Sequence, residues 1–389
     1  MLRRMLTPST RGVIAPFLVM DVMEAAARVE AAGHPVLHLE VGQPGTPAPA
    51  TVLAAAHAAL DGHNLGYTVA LGLPRLRERI ARHYLRQYGV HVDPEGIVVT
   101  PGASGAFVLA FLAAFRAGDT VACARPGYPC YRNIMQALDL VPLEIETTLE
   151  HGYQLTVRDL ERLPRTPAGL VLASPANPTG SILPPDELRE LLAYCDARGI
   201  VVVSDEIYHG LVYGEARAET ALRFSEHAVV VNSFSKYFSM TGWRLGWAVV
   251  PPPLRRAVET LSQNLLICAS TLAQVAAIAA FDAYDELDGH VRRYAHNRRV
   301  LLDALRAAGV EAMAPADGAF YIYADLSPWT KDSQRFCQRM LEEIHVATTP
   351  GIDFDPQRGH RMVRFSYCAA PADVEAAAVR IHDDLRRTR

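Results

Sequence analysis

The chain has 389 residues, 50% of them hydrophobic, with 38 basic against 42 acidic side chains and a formal net charge of −4. That length suggests roughly two or three domains, or one large domain with a smaller companion, and the composition is that of a soluble globular protein. Acidic residues interspersed with the arginines exclude a general nucleic-acid surface, and the most apolar stretch, ASTLAQVAAIAAFDA at 269–283, is too short to span a bilayer.

The N-terminal stretch MLRRMLTPSTRGVIAPFLVMDV starts basic, but Pro8, Pro16 and Asp21 interrupt it, so no signal peptide is expected. HPVLHLEVGQPGTPAPA, rich in Pro and Gly, reads as a crossing segment. Short β-branched runs then alternate with helical patterns: IVVT (97–100), TVACA (120–124), GLVLAS (169–174), IVVVSD (200–205), AVVVNS (228–233) and LGWAVV (245–250). Between them lie GAFVLAFLAAFRAGD and PDELRELLAYCDARG, the second placing Leu188, Leu191 and Leu192 on one face between Pro184–Pro185 and Gly199. Continuously apolar strands are expected where helices cover both faces of a parallel sheet, so the middle of the chain reads as one large α/β domain. After about residue 284 a long helical stretch, GAFYIYADL, another helix, VRFSYC and a final helix read as an α+β subdomain. The six cysteines form no Cys-x-x-Cys pair and no zinc-ligand spacing, and read as idle thiols in a reducing cytoplasm.

Ligands of open α/β sheets bind beyond the carboxyl ends of the strands, so the loops there carry the argument. After IVVT comes PGASGA (101–106), whose small residues and free helix-start N–H groups suit an anion such as phosphate. After GLVLAS comes PANPTG (175–180), and IVVVSD ends on Asp205, followed by Glu206 and Tyr208. AVVVNS leads into SFSKYFSMTGWRLGW (233–247), where Ser233, Ser235 and Arg244 surround Lys236. Lysine is almost absent elsewhere: 36 basic residues are arginine, and the other lysine is Lys331. Desolvation and Arg244 both lower the amine's pKa and favour a neutral nucleophile, and guanidinium forms no stable Schiff base, so arginine cannot replace Lys236. The Ser-x-x-Lys spacing of Ser233 and Lys236 also occurs in penicillin-recognising acyltransferases, but Ser-Asp-Asn and Lys-Thr-Gly are missing.

A phosphate site, a lysine poised for imine formation and a strand-end carboxylate point to pyridoxal 5'-phosphate (PLP) chemistry. Here the sequence resembles the class I/II aminotransferases of PLP fold type I, the aspartate aminotransferase-like superfamily. HLEVGQPG, LGYTVALGLPRLRERIARHY, VTPGASGA, RPGYPCY, ASPANPTG, SDEIY, SFSKYFSMTGWRLGW, GAFYIY and VRFSYC follow the family's order over nearly the whole chain. The resemblance implies an α/β fold, with a mostly parallel seven-stranded sheet between helices in a large PLP-binding domain (46–284). A small α+β domain (285–389) is joined by the N-terminal segment (1–45).

It further implies that Lys236 carries PLP as a Schiff base and moves protons, that Asp205 pairs with the pyridinium nitrogen, and that Tyr208 and Asn177 bind the ring's phenolic oxygen. Tyr128 would stack on the ring. The phosphate would be held by Ala103, Ser104, Ser233, Ser235 and Arg244, with Tyr67 contributed by the partner of a homodimer. Arg364 would bind the substrate α-carboxylate, assisted by Asn177 and Gly42. The implied activity moves an amino group from an L-amino acid to a 2-oxo acid by a ping-pong mechanism in the cytoplasm, without metal, membrane or nucleic acid.

A PLP-dependent C–S β-lyase on the same fold would share these residues, but MTGWRLGW favours transamination. A PLP-binding regulator needs a DNA-binding module, for which the resemblance, starting within about twenty residues of Met1, leaves no room. Ser104 stands where many relatives carry a longer polar residue. Asp353 and Asp355 lie in a loop that usually holds small residues; solvent-facing positions are expected, whereas carboxylates in the pocket would disfavour acidic side chains. Arg292, Arg293, Arg298 and Arg299 read as solvated faces or dimer contacts.

Overall fold

The computed structural model describes residues 7–62 and 64–388; Arg3 and Arg4 of the basic start lie outside the described residues. From the N-terminus the chain runs α1 (Leu18–Ala31), β1 (Leu37–His38), α2 (Ala50–Gly62), α3 (Pro74–Tyr88), β2 (Ile97–Thr100), α4 (Gly102–Ala114), β3 (Thr120–Arg125), α5 (Pro129–Ala137) and β4 (Val141–Glu146). It continues through α6 (Val157–Glu161), β5 (Gly169–Ala173), α7 (Pro185–Arg198), β6 (Val201–Asp205), β7 (Val229–Ser233), β8 (Gly246–Val249), α8 (Pro252–Leu265) and α9 (Thr271–Ile278). Then come α10 (Tyr284–Ala308), β9 (Tyr321–Asp325), α11 (Ser333–Ile344), β10 (Val346–Ala347), β11 (Thr349–Pro350), β12 (Met362–Ser366) and α12 (Pro371–Thr388).

Seven strands form the main sheet in the order β2-β8-β7-β6-β5-β3-β4. Only β8 runs against its neighbours, pairing antiparallel with β2 and β7, so the sheet is mostly parallel. Successive strand residues point to opposite faces, and both faces are covered. Leu170, Leu172, Val202 and Val230 enter one apolar cluster, while Val171, Val203, Val229 and Val231 enter another. That two-sided burial is why the central strands are continuously apolar. β4 escapes such a search: it is an edge strand, with Pro142 and alternating Glu144 and Glu146, positions tolerated where one side of the ladder is open.

Helix ends follow local chemistry. α7 starts at Pro185 and stops at Gly199, whose φ of +67° needs no Cβ, and Leu188, Leu191 and Leu192 are buried as expected. A three-stranded antiparallel sheet, β11-β12-β9, follows later in the chain. The N-terminal segment joins this part, since β1 pairs parallel with β10 and α1 packs beside α11. Arg292, Arg293 and Arg299 are exposed, but Arg298 is half-buried and donates to the carbonyls of Ala316 (2.6 Å) and Pro315 (3.2 Å), so it ties α10 to a loop instead of simply facing water. Among the described residues no helix is long and apolar enough to cross a membrane.

Candidate active site

Because β2, β3, β5, β6 and β7 share one direction, the loops that follow them emerge at one edge of the sheet. There they enclose a cavity of about 200 Å³, lined among others by Gly42, Ala103, Ser104, Tyr128, Asn177, Asp205, Tyr208, Ser235, Lys236, Arg244 and Arg364. Eleven sequence-predicted positions scattered over more than three hundred residues are therefore brought together. Two are not. Ser233 is buried one layer behind, its Oγ 2.8 Å from Ser235 Oγ and donating to the Leu245 carbonyl (3.0 Å). Tyr67 is 88% exposed and absent from the lining.

One end of the cavity gathers groups that suit an anion. Gly102 opens α4 with φ +71°, and a Cβ there would lie 2.5 Å from the Arg244 guanidinium. Gly246 lacks a side chain for the same reason: its Cβ would meet the Ala103 nitrogen at 2.7 Å. The close approach sets the N–H groups at the start of α4 beside Arg244 and Ser235, where a helix terminus favours negative charge.

Lys236 lies at the centre, its Nζ donating to the Gly42 carbonyl at 2.6 Å. Burial pushes its ammonium pKa down to about 8, with Arg364 and Arg244 acting in the same direction, against the opposing pull of Cys368 and Asp205. A side chain at position 42 would collide with the Tyr321 hydroxyl, so glycine lets the backbone pass close to that ring. Across the cavity Asp205 is buried. Its Oδ1 accepts the Ile207 N–H (3.0 Å) and its Oδ2 accepts the Tyr131 hydroxyl. Burial raises its pKa to about 6, and these two hydrogen bonds and Lys236 oppose the rise.

Tyr208 shares a hydrogen bond with Tyr321 (2.7 Å between oxygens). Arg364, 2% exposed, donates from Nη1 to Asn177 Oδ1 (2.9 Å) and from Nη2 to the Glu40 carbonyl and Thr349 Oγ1 (3.2 Å). Its Nε has no hydrogen-bond partner among the described residues. The Tyr321 and Phe354 rings lie 4.3 and 4.7 Å from its guanidinium carbon.

Asp353 and Asp355 correct the expectation that they face solvent. Both are buried, and neither lines the cavity. Asp353 accepts the N–H groups of Leu18 (3.2 Å) and Val19 (3.4 Å), while Asp355 meets Arg125 (3.3 Å) and the N–H groups of Gln357 and Arg358. Sequence reasoning also missed Tyr131, Tyr321, Phe17, Val19, Met20 and Ile134, all of which line the cavity. Tyr131 carried a signal: it lies three residues after Tyr128 at a helix start, a spacing that puts both on one face.

A sheet whose strand ends gather a desolvated amine, a buried carboxylate, an anion cradle and a buried arginine fork is the frame of an enzyme that handles amino and carboxylate groups. Comparison with known proteins makes the class specific: the family described as "Aminotransferase class I and II" matches residues 34–381, and the chain belongs to it. It is 50% identical over 374 residues to a valine–pyruvate aminotransferase of Mycobacterium tuberculosis, covering 95% of this chain and 96% of that one. A crystal structure of an aminotransferase from the same organism superposes with TM-score 0.97 at 49% identity, covering 98% of this chain and all of that one. The aspartate aminotransferase of Thermus thermophilus with maleate gives TM-score 0.91 at 32% identity, covering 97% and 100%. The protein is thus an aminotransferase that moves an amino group between an amino acid and a 2-oxo acid, in a family that uses PLP.

Proposed function

We propose that the protein binds PLP in this cavity and exchanges amino groups between an apolar L-amino acid, valine foremost, and pyruvate. The residues fit the cofactor: the start of α4, Ser235 and Arg244 would take its phosphate, Asp205 its ring nitrogen, Tyr128 its face, and Tyr208 and Asn177 its phenolic oxygen. Bound there, the cofactor supplies an electron sink for charge developing at the substrate Cα.

The remaining work belongs to the chain. Arg364, with Asn177 and Gly42, holds the α-carboxylate and fixes the orientation of the Cα–H bond. Lys236 Nζ, its pKa lowered by burial, takes a proton from the donor's Cα in the first half-reaction and delivers one to the acceptor's Cα in the second. Asp205 becomes a full carboxylate once a cationic N–H faces it, because the new partner offsets its desolvation.

One observation carries the substrate reading. The charged residues lining the cavity, among those described, are Asp205, Lys236, Arg244 and Arg364, and cofactor and α-carboxylate engage all four. The substrate side chain is left with Phe17, Val19, Met20, Val41 and Ile134, which offer no cation to a second carboxylate. An unpaired carboxylate is costly in such surroundings. The named activity of the Mycobacterium tuberculosis relative agrees.

The test is a panel of amino donors in single half-reactions, followed by loss of the cofactor's visible absorbance. Valine and alanine should exceed aspartate and glutamate by about 100-fold in kcat/KM; aspartate as the fastest donor would sink the substrate reading. Steady pyruvate and ammonia release from cysteine conjugates without an acceptor would indicate lyase chemistry instead.

We also propose a homodimer in which Tyr67 completes the partner's phosphate site. Exposed Leu60, Val69, Leu265 and Ile267 support an apolar contact surface, and a monomer by analytical ultracentrifugation would refute it. The division into a large domain (46–284) and a small one (285–389, joined by 1–45) belongs to the same reading, as does a cytoplasmic setting, with which six free thiols agree.

A further inference from the structure

The wall against which the substrate side chain would pack is the first turn of α1, and its own sequence does not secure it. The first N–H groups of a helix have no partner within the helix, and Phe17, at the N-cap position, offers no side-chain acceptor. The missing acceptor arrives from far along the chain. Asp353 Oδ1 accepts the Leu18 N–H at 3.2 Å and Oδ2 accepts the Val19 N–H at 3.4 Å, and an anion there also meets the positive end of the helix dipole.

The run 349–354 thereby reaches both the Arg364 guanidinium and the first turn of α1. Thr349 Oγ1 accepts from Arg364, and the Phe354 ring lies under the same guanidinium, while Asp353 between them holds the turn carrying Phe17, Val19 and Met20 into the cavity. α5 closes the clamp from the other side: Arg132 donates to the Asp353 carbonyl (2.6 Å) and Asn133 to the Ala15 carbonyl (3.2 Å). Phe17 meets the edge of Tyr128 with ring centroids 5.7 Å apart.

We propose that Asp353 is a positioning residue for substrate side-chain recognition: it caps α1 so that Val19 and its neighbours form the pocket wall. The proposal rests on the reading that an apolar side chain fills this pocket. Asp353 touches none of the reacting atoms; it acts through α1.

PLP-loaded Asp353→Ala, Asp353→Asn and wild-type enzyme are compared by steady-state kinetics and by hydrogen exchange. In Asp353→Ala the KM for valine rises about tenfold, a factor within the range of free energies that a helix cap contributes. The KM for alanine, whose side chain is one methyl group, rises less than about threefold, and kcat for both donors stays within about twofold. The Leu18 and Val19 amides exchange faster, and Asp353→Asn, which keeps one of the two acceptor oxygens, restores both readouts in part, with one of the two amides regaining protection.

An unchanged KM for valine, an equal rise for both donors, or unchanged exchange at Leu18 and Val19 overturns the proposal. Should Asp353→Ala fail to fold, Val19→Ala keeps the cap and shortens the wall: it must raise the valine-to-alanine KM ratio, and an unchanged ratio overturns the proposal as well. If wild-type enzyme prefers an acidic donor, the substrate reading fails separately. Exchange at Leu18 and Val19, with the KM of the preferred donor in Asp353→Ala, then decides the role of Asp353 alone.

Discussion

Replacing Arg364 by lysine separates charge from geometry at the proposed carboxylate site. The guanidinium is held by the Asn177 amide oxygen, the Glu40 carbonyl and the Thr349 hydroxyl, with aromatic rings near it. Its Nε has no partner among the described residues, and a buried donor without a partner costs about 1–3 kcal/mol. A carboxylate that reaches the fork relieves that cost, whereas an ammonium keeps the charge but cannot present two parallel donors. Loss of one charge-assisted hydrogen bond, about 1.5–3 kcal/mol, corresponds to a KM increase of about 10- to 150-fold. Steady-state kinetics with valine, alanine and pyruvate each varied in turn should show that rise for every α-carboxylate, with kcat less affected and cofactor loading unchanged. An unchanged KM, or a rise confined to one substrate, would refute the assignment of Arg364 to the shared carboxylate.

Lys236→Ala should remove the pH-sensitive visible absorbance of the loaded enzyme and lower turnover by about 10³-fold or more, since nucleophile and base are lost together; amine exchange at the wild-type rate would disprove its role. Tyr131→Phe removes a donor that holds the Asp205 pKa down, so Asp205 becomes harder to ionise. PLP affinity of the apo-enzyme, followed by fluorescence titration, should fall about tenfold, and an unchanged affinity would leave Tyr131 as packing alone. Glu206 is a separate case. Burial raises its pKa to about 8, while Ala221, Thr220 and Ser204 donate to its Oε1 and partly oppose the rise. Its folded pKa lies above the unfolded one, near 4.5, so between those values the folded state binds more protons and stability falls as pH rises. Glu206→Gln should flatten the decline in Tm between about pH 5 and 8; an identical slope in the variant would show that another group sets it.

What the sequence made legible depended on whether a residue's surroundings lie close to it in the chain. Lys236 stood out because arginine fills 36 of the 38 basic positions, and Ser235 and Arg244 lie within the same loop. The central strands were visible because burial on both faces leaves an uninterrupted apolar run, a rule that fails at β4, where an open edge admits Pro142 and two glutamates. Asp353 could not be read correctly in the same way. Its partners Leu18 and Val19 lie 335 and 334 positions away, so the loop around it carries no trace of the helix it caps. Without that helix, a carboxylate among surface-like residues is most economically placed in water. The error has a physical cause that extends to Arg298, whose acceptors are backbone carbonyls and leave no side-chain pattern to find. Local chemistry thus picks out the groups proposed to meet the cofactor, whereas those proposed to shape the substrate pocket act through contacts made only when the two ends of the chain come together. Substrate choice is therefore the part of the function that the fold must supply.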